Sequence, residues 1–272
     1  MESKSNTRMV GVNSKKESPR GWRRFIPQPL RLFYRQLPMI FSYPKDIIEE
    51  SAVNYDEYWK EKRGENLGEL SPFQLARAKE VRHLLEPKCS VLDIGCGDGA
   101  VLKYIKHELD VIPWGVDQST YALKSAESFG IRILHLNLND PSSIEELPEV
   151  DYIMALEVLE HLPNPESLLR ALASKCRKAF VISVPNSGYW LHRMRFFFGR
   201  TPAQWRRHPG EHLRFWTQND VHWWVKAIGW ELEELRSYEG LAGLNRIFPS
   251  WCAMGMIMKV KPSSITNQKV IL

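Results

Sequence analysis

The sequence predicts an α/β fold: a mostly parallel sheet with helices on both faces. Three observations carry this. Short apolar runs recur at 90–94, 111–116, 131–136, 151–155 and 178–184, with the length and side-chain content of buried strands. Stretches with helical spacing of apolar residues separate most of them, as crossovers between parallel strands require. The first run leads into Gly95, Gly97 and Gly99 and then a helical stretch, the strand–loop–helix layout of a nucleotide-binding crossover.

The chain has 272 residues, enough for one large α/β domain plus extras, and its 43% hydrophobic and 25% charged content is that of a soluble globular protein. The four cysteines, at 89, 96, 176 and 252, form no C-x-x-C pair. This excludes a zinc ribbon or a disulfide framework and fits a reducing, cytoplasmic compartment. The polar opening, Met1 to Glu17, lacks the apolar core of a signal peptide. No run approaches the ~20 apolar residues that span a bilayer. The net charge of +5 is uneven: residues 1–45 carry ten Lys/Arg and two Glu, and the remainder 27 basic and 30 acidic residues. A basic arm thus precedes a slightly acidic body, and nucleic acid is not an expected partner.

Met1 to Gly21 is polar and glycine-containing and is expected to be disordered. Trp22 to Tyr43 interleaves Trp22, Phe25, Phe33, Tyr34, Phe41 and Tyr43 with Arg23, Arg24, Arg31 and Arg35. It suits an anionic membrane surface, which would make the protein a peripheral membrane one, or a docking partner. It equally suits a clasp packed on the domain with its basic tips in water. Asp46 to Arg63 is expected to be helical, so the arm and its helix occupy 22–69. Ser71-Pro72 starts a helix running to about Glu86 and opens the main domain at 70–262; 263–272 is a tail.

At the glycine loop, Gly95, Gly97 and Ala100 also fit the dinucleotide fingerprint. The charges separate the two. A pyrophosphate is anionic and favours a helix N-terminus, whereas Asp93 and Asp98 flank this loop and suit a ligand with an ammonium and a sulfonium. The expected cofactor is S-adenosylmethionine; a dinucleotide-dependent oxidoreductase is the weaker alternative. The second strand ends at Asp117, where a carboxylate can accept from both ribose hydroxyls or cap the helix 119–128. The third strand leads into Asn137. After the fourth come Glu157-x-x-Glu160-His161, then a helix at 165–175. The fifth strand closes on Pro185-Asn186.

Residues 188–215 break the alternation with many aromatics and arginines. An insertion at a strand's carboxyl end lies where such sheets bind ligands, so it is expected to be a substrate lid or a flap burying its own aromatics. Thr217 and Asp220 form a capping box for a helix that Gly229 stops. Two final strands at 230–238 and 251–260 make a hairpin with a long connection.

Were 157–161 helical, Glu157, Glu160 and His161 would share a face. His212 could fold over the same cleft. Two carboxylates and two imidazoles would make a mixed oxygen/nitrogen site for a divalent metal. Without metal, Glu157 could position the cofactor and His161 or His212 act as general base. A purely helix-ordering role for Glu160 and His161 is the third possibility.

With these motifs the chain resembles class I S-adenosylmethionine-dependent methyltransferases over about 71–262. The matching stretches are Val-Leu-Asp-Ile-Gly-Cys-Gly-Asp-Gly at 91–99, Gly-Val-Asp at 115–117, Glu-Val-Leu-Glu-His at 157–161, Val-Pro-Asn at 184–186 and His-Leu-Arg-Phe-Trp-Thr at 212–217. Pro185-Asn-Ser-Gly-Tyr-Trp and Phe196-Phe-Phe-Gly-Arg are similar to the MetW-like, type 11 branch. Glu-x-x-Glu-His with a later His is similar to the ubiquinone-biosynthesis O-methyltransferases and to metal-using small-RNA 2′-O-methyltransferases. The resemblance implies a three-layer, Rossmann-like, seven-stranded sheet with an antiparallel final hairpin. It implies that Asp93, Gly95, Gly97 and Gly99 hold the methionine part and Asp117 the ribose. Asn137 stands where the family usually has an Asp near the adenine amino group, and its oxygen can accept the same bond. The implied activity is methyl transfer to an oxygen or nitrogen of a small-molecule, lipid-linked or glycan acceptor. The alternative is a non-catalytic MetW-like subunit that binds a partner protein.

Overall fold

The computed structural model describes residues 27–43, 54–137, 144–202, 204 and 209–263. The expectations for 1–21, for 22–26 of the arm, for 46–53 of the first helix, for Trp205, Arg206 and Arg207 of the insertion, and for the tail beyond 263 lie outside the described residues.

Seven strands form one sheet in the order β3-β2-β1-β4-β5-β7-β6. They are β1 (Ser90–Ile94), β2 (Ile112–Asp117), β3 (Arg132–His135), β4 (Val150–Leu156), β5 (Cys176–Pro185), β6 (Trp230–Gly240) and β7 (Ala253–Pro262). Neighbours from β3 to β5 pair parallel, and β7 runs antiparallel to both β5 and β6. The central strands are near-continuous apolar runs because both faces are covered. Strand periodicity then sorts alternate residues into two cores. Leu92, Ile153, Phe180 and Ile182 face Leu168, Leu169, Val221 and Trp224. Val91, Tyr152, Met154 and Val181 face Ala78, Val81, Leu102, Ile105 and Leu123.

The helices are α1 (Gln28–Gln36), α2 (Tyr55–Arg63), α3 (Pro72–Leu84), α4 (Ala100–Leu109), α5 (Thr120–Ser128), α6 (Pro165–Leu172), α7 (Trp190–Phe197), α8 (Gln218–Ala227) and the short α9 (Leu244–Ile247) and α10 (Pro249–Cys252). Local chemistry sets their starts: Asn54 caps α2, Ser119 caps α5, and capping boxes open α3 (Ser71 with Gln74) and α8 (Thr217 with Asp220).

A third apolar cluster lies outside the sheet. Ile40 packs with Tyr189, Trp190, Leu191 and Leu241, with Phe33, Leu37 and Met254 against them. The arm is held to α7 by polar bonds as well. Tyr189 Oη donates to Gln36 Oε1 at 2.7 Å. The buried Arg195 donates from Nη1 to the carbonyls of Met39, Ile40 and Ser42 at 2.6, 3.2 and 2.8 Å. Residues 27–43 are therefore docked on the insertion, as the clasp alternative expected, while Leu30, Tyr34, Met39, Phe41 and Tyr43 stay exposed. Among the described residues no helix is long and apolar enough to cross a membrane.

Candidate active site

The glycine loop turns between β1 and α4 at the point where strand order reverses, with β2 on one side of β1 and β4 on the other. Gly95 N and Cys96 N both donate to Val116 O, tying the loop to β2. Gly97 has φ 55° and donates its N–H to Asp117 Oδ2 at 2.8 Å. Asp117 Oδ1 accepts from Ser119 N at 2.8 Å. Each of these oxygens can accept a further hydrogen bond. Burial raises the Asp117 pKa against these hydrogen bonds, with Asp98 adding to the rise.

Asp98 has a different task from the ligand-facing one its position suggested. Its Oδ2 accepts from Gly68 N at 3.0 Å and lies 3.3 Å from Arg63 Nε, while Oδ1 accepts from Ala100 N at 3.2 Å. The carboxylate clamps the segment after α2 onto the start of α4. Arg63 also donates to Gln74 at the head of α3. Above the loop, Trp59 of α2 lies so close that a Cβ on Gly97 would sit 2.2 Å from its ring. Asp56 fastens α2 to the start of α5, accepting from Ser119 Oγ at 2.6 Å, Thr120 Oγ1 at 2.9 Å and Tyr121 N at 3.1 Å.

Beneath the loop lies a buried polar group that only the fold assembles. Asp93 is buried in β1 with Oδ1 unpartnered among the described residues. Burial pushes its carboxyl up to about 8, opposed by Arg77 and reinforced by Asp117. Arg77, buried on α3, has Tyr238, Glu157 and Asp93 as charged or polar neighbours. Glu157 Oε1 accepts from Tyr238 Oη at 2.8 Å and Ser183 Oγ at 3.2 Å.

The segment after β4 is not helical. Glu157 takes φ 59° and Leu159–His161 form one tight 3-10 turn, so the shared-face expectation fails for its first member. Glu157 turns toward Tyr238 and Ser183 and stays out of the proposed ligand set. Glu160, His161 and His212 do come together, with one ligand atom from each lying within 4.8 Å of the others. The Glu160 carbonyl accepts from Leu213 N and Arg214 N at 2.7 and 3.2 Å, which carries His212 to the cleft. His161 Nδ1 donates to Glu211 O at 2.5 Å, leaving Nε2 toward Glu160 at 4.0 Å. Both oxygens of the buried Glu160 and His212 Nδ1 lack a hydrogen-bond partner among the described residues. Burial, and then the charge of Glu157, raises Glu160 well above the usual carboxylate range. Burial, and then His161, lowers His212 to about 4. Asn137 lies exposed after β3, accepting from Gln118 Nε2 at 3.0 Å.

Residues 55–235 match a methyltransferase domain family. The chain belongs to that family. The methyltransferase is 25% identical over 212 residues to the ubiquinone biosynthesis O-methyltransferase of Cupriavidus pinatubonensis, covering 71% of this chain and 80% of that protein. It is 29% identical over 131 residues to the protein of the same name from Pseudomonas fluorescens, covering 46% of this chain and 55% of that one. Among solved structures, the methyltransferase is similar to a SAM-dependent methyltransferase from Archaeoglobus fulgidus, with TM-score 0.53, 19% identity, and 77% of this chain and all of that one covered. It is also similar to magnesium protoporphyrin IX methyltransferase from Synechocystis PCC 6803 with bound SAH, with TM-score 0.51, 14% identity, and 85% and 94% covered. These likenesses show the fold.

Proposed function

We propose that this methyltransferase moves the methyl group of S-adenosylmethionine to a hydroxyl of a small-molecule acceptor. The observation that carries this is the adjacency of two sites at the carboxyl ends of β1, β2 and β4: an acid-lined glycine loop and the Glu160–His161–His212 group. The unpartnered, buried Asp93 oxygen suits a ligand carrying an ammonium, and Asp117 at the end of β2 suits a ribose. Gly95, Gly97 and Gly99 hold the left-handed turns that let the loop pack under Val158, Trp59 and Ala126, the oxygen of Asn137 suits an adenine amino group, and Glu157 is assigned a supporting role through its bonds to Tyr238 and Ser183. The cofactor, when bound, supplies the electrophilic methyl.

Catalysis is then positioning plus removal of the acceptor proton. Glu160, His161 and His212 fit a divalent metal, since one carboxylate and two imidazoles bring a ligand atom each within 4.8 Å of the others, a donor set that favours manganese, iron, cobalt or zinc over magnesium. Such a metal would supply Lewis acidity that lowers the acceptor hydroxyl's pKa. Without it, His161 or His212 takes the proton. The O-methyltransferase names of the relatives support oxygen as the nucleophile.

Calorimetry with S-adenosylhomocysteine and with NAD tests the cofactor, and tighter binding of NAD overturns it. A panel of hydroxylated aromatic and polyol acceptors with methyl-labelled cofactor tests the reaction. No product from any acceptor, with cofactor binding intact, favours a non-catalytic subunit. Loss of activity in chelator, restored by added metal, assigns the metal; activity unchanged in chelator but lost in His161→Ala or His212→Ala assigns a histidine base.

A further inference from the structure

The acidic residues are unevenly placed. Of 32 Asp and Glu, none falls within 18–45, 167–210 or 240–272. Parts of these three acid-free stretches, far apart in sequence, meet in one place: α1 with its following turn, α7, and α9 with α10. Phe33 packs on Trp190 at 4.6 Å between centroids and Phe41 on Phe198 at 5.0 Å. The Arg193 guanidinium lies 4.3 Å over Trp251, and that of Arg200 lies over both Phe41 and Tyr43. The inner sides of these elements form the third apolar cluster.

Their outer sides are apolar too. Phe197 is 76% exposed, Ile247 67%, Phe248 60% and Phe196 58%. Arg31, Arg35 and Arg246 are exposed on the same elements. Scattered exposed aromatics are ordinary, but exposed aromatics and basic residues together on elements that themselves carry no acid mark an interaction surface, bordered by Glu239 at the end of β6 beside Asn245. The rest of the surface is unlike it. The β6–β7 edge interleaves Glu231 and Glu233 with Lys259 and Lys261, and Glu86 pairs with Lys178. A protein partner of mixed charge has no need for so one-sided a face. An anionic bilayer does: aromatic rings sit at headgroup level and arginines meet lipid phosphates.

We infer that α1, α7 and the α9–α10 connection form a single docking face for an anionic lipid bilayer, with Phe196 and Phe197 at its tip. α7 follows β5, and Asn186 just before it bridges to Trp216 near His212, so docking brings the cleft close to the lipid surface. This inference is independent of which acceptor is methylated.

The test is co-sedimentation of the full-length protein with phosphatidylcholine vesicles, with and without phosphatidylglycerol, at low and raised salt. Binding is expected only with phosphatidylglycerol and weakens with salt. The double variant Phe196→Ser/Phe197→Ser should bind roughly tenfold more weakly or worse, since two exposed aromatics lose their apolar contact. The triple variant Arg31→Glu/Arg35→Glu/Arg246→Glu should also lose binding. Both variants should keep wild-type affinity for S-adenosylhomocysteine, which shows that they fold. Absence of wild-type binding to anionic vesicles, or variants that bind like wild type, overturns the inference. A dimer that dissociates in the Phe196→Ser/Phe197→Ser variant, with no vesicle binding by either protein, assigns the face to a second copy instead.

Discussion

Asp93 is an acid held inside the sheet, and its titration is measurable. Its folded pKa of about 8 lies far above its ordinary value of 3.8, because burial disfavours the charge. Such a group contributes stability that is complete below pH 4 and is lost as pH rises through 8. The ligand-free protein is therefore expected to lose stability across that window, with Asp93→Asn flattening the slope in thermal melts at several pH values. Asp93→Ala is also expected to cost roughly 1.5–3 kcal/mol of cofactor affinity, the range for a hydrogen bond to a charged group, measured by calorimetry. Tyr238→Phe removes one bond to Glu157 and should cost about 0.5–1.5 kcal/mol of stability in denaturant melts. Asp93 and Asp117 were legible because they stand beside a glycine loop. Arg77 and Tyr238 were not: Tyr238 meets Glu157 across 81 residues, and no local spacing reports such a contact. His192 was missed for the same reason: it sits on α7, its Nδ1 has no hydrogen-bond partner among the described residues, and burial lowers its pKa to about 4.

At the scale of elements, α2 is the wall of the cofactor cleft that sequence alone left as a plain helix. Trp59 lies on the loop at the one glycine where a side chain would collide with it. Gly97→Val should therefore both strain a left-handed residue and displace α2, and S-adenosylhomocysteine binding should disappear in calorimetry. Asp56→Ala frees the other end of α2 and should speed proteolysis within 54–63 without abolishing the fold. The strands were legible because both faces are buried and the apolar runs are continuous. The 157–161 segment misled because a non-glycine residue at positive φ leaves no mark in the sequence, and Glu157 takes that conformation. Of the arm's two alternatives, the contacts carry the clasp: one side of α1 packs on α7, and the other remains exposed.

Across the whole molecule, the loop follows β1, the histidine cluster follows β4 and the α2 wall is pinned to α5 and the loop, so a ligand touching the loop stabilises the entire fold by mass action. S-adenosylhomocysteine at a hundred times its Kd should add about 2.7 kcal/mol and raise Tm by roughly 5–10 °C. Differential scanning fluorimetry checks this, and an equal shift with NAD would contradict the cofactor assignment. The strand order was not legible, because nothing in the apolar runs says that the last strand enters between two earlier ones.

That late entry governs how the protein is made. β7 leaves the ribosome after the other six strands, yet it lies between β5 and β6. Until Ala253–Pro262 emerges, β5 has a bare edge and β6 has no partner in the sheet. A nascent chain stalled after residue 245 is then a template for strand addition by other chains and a client for chaperones.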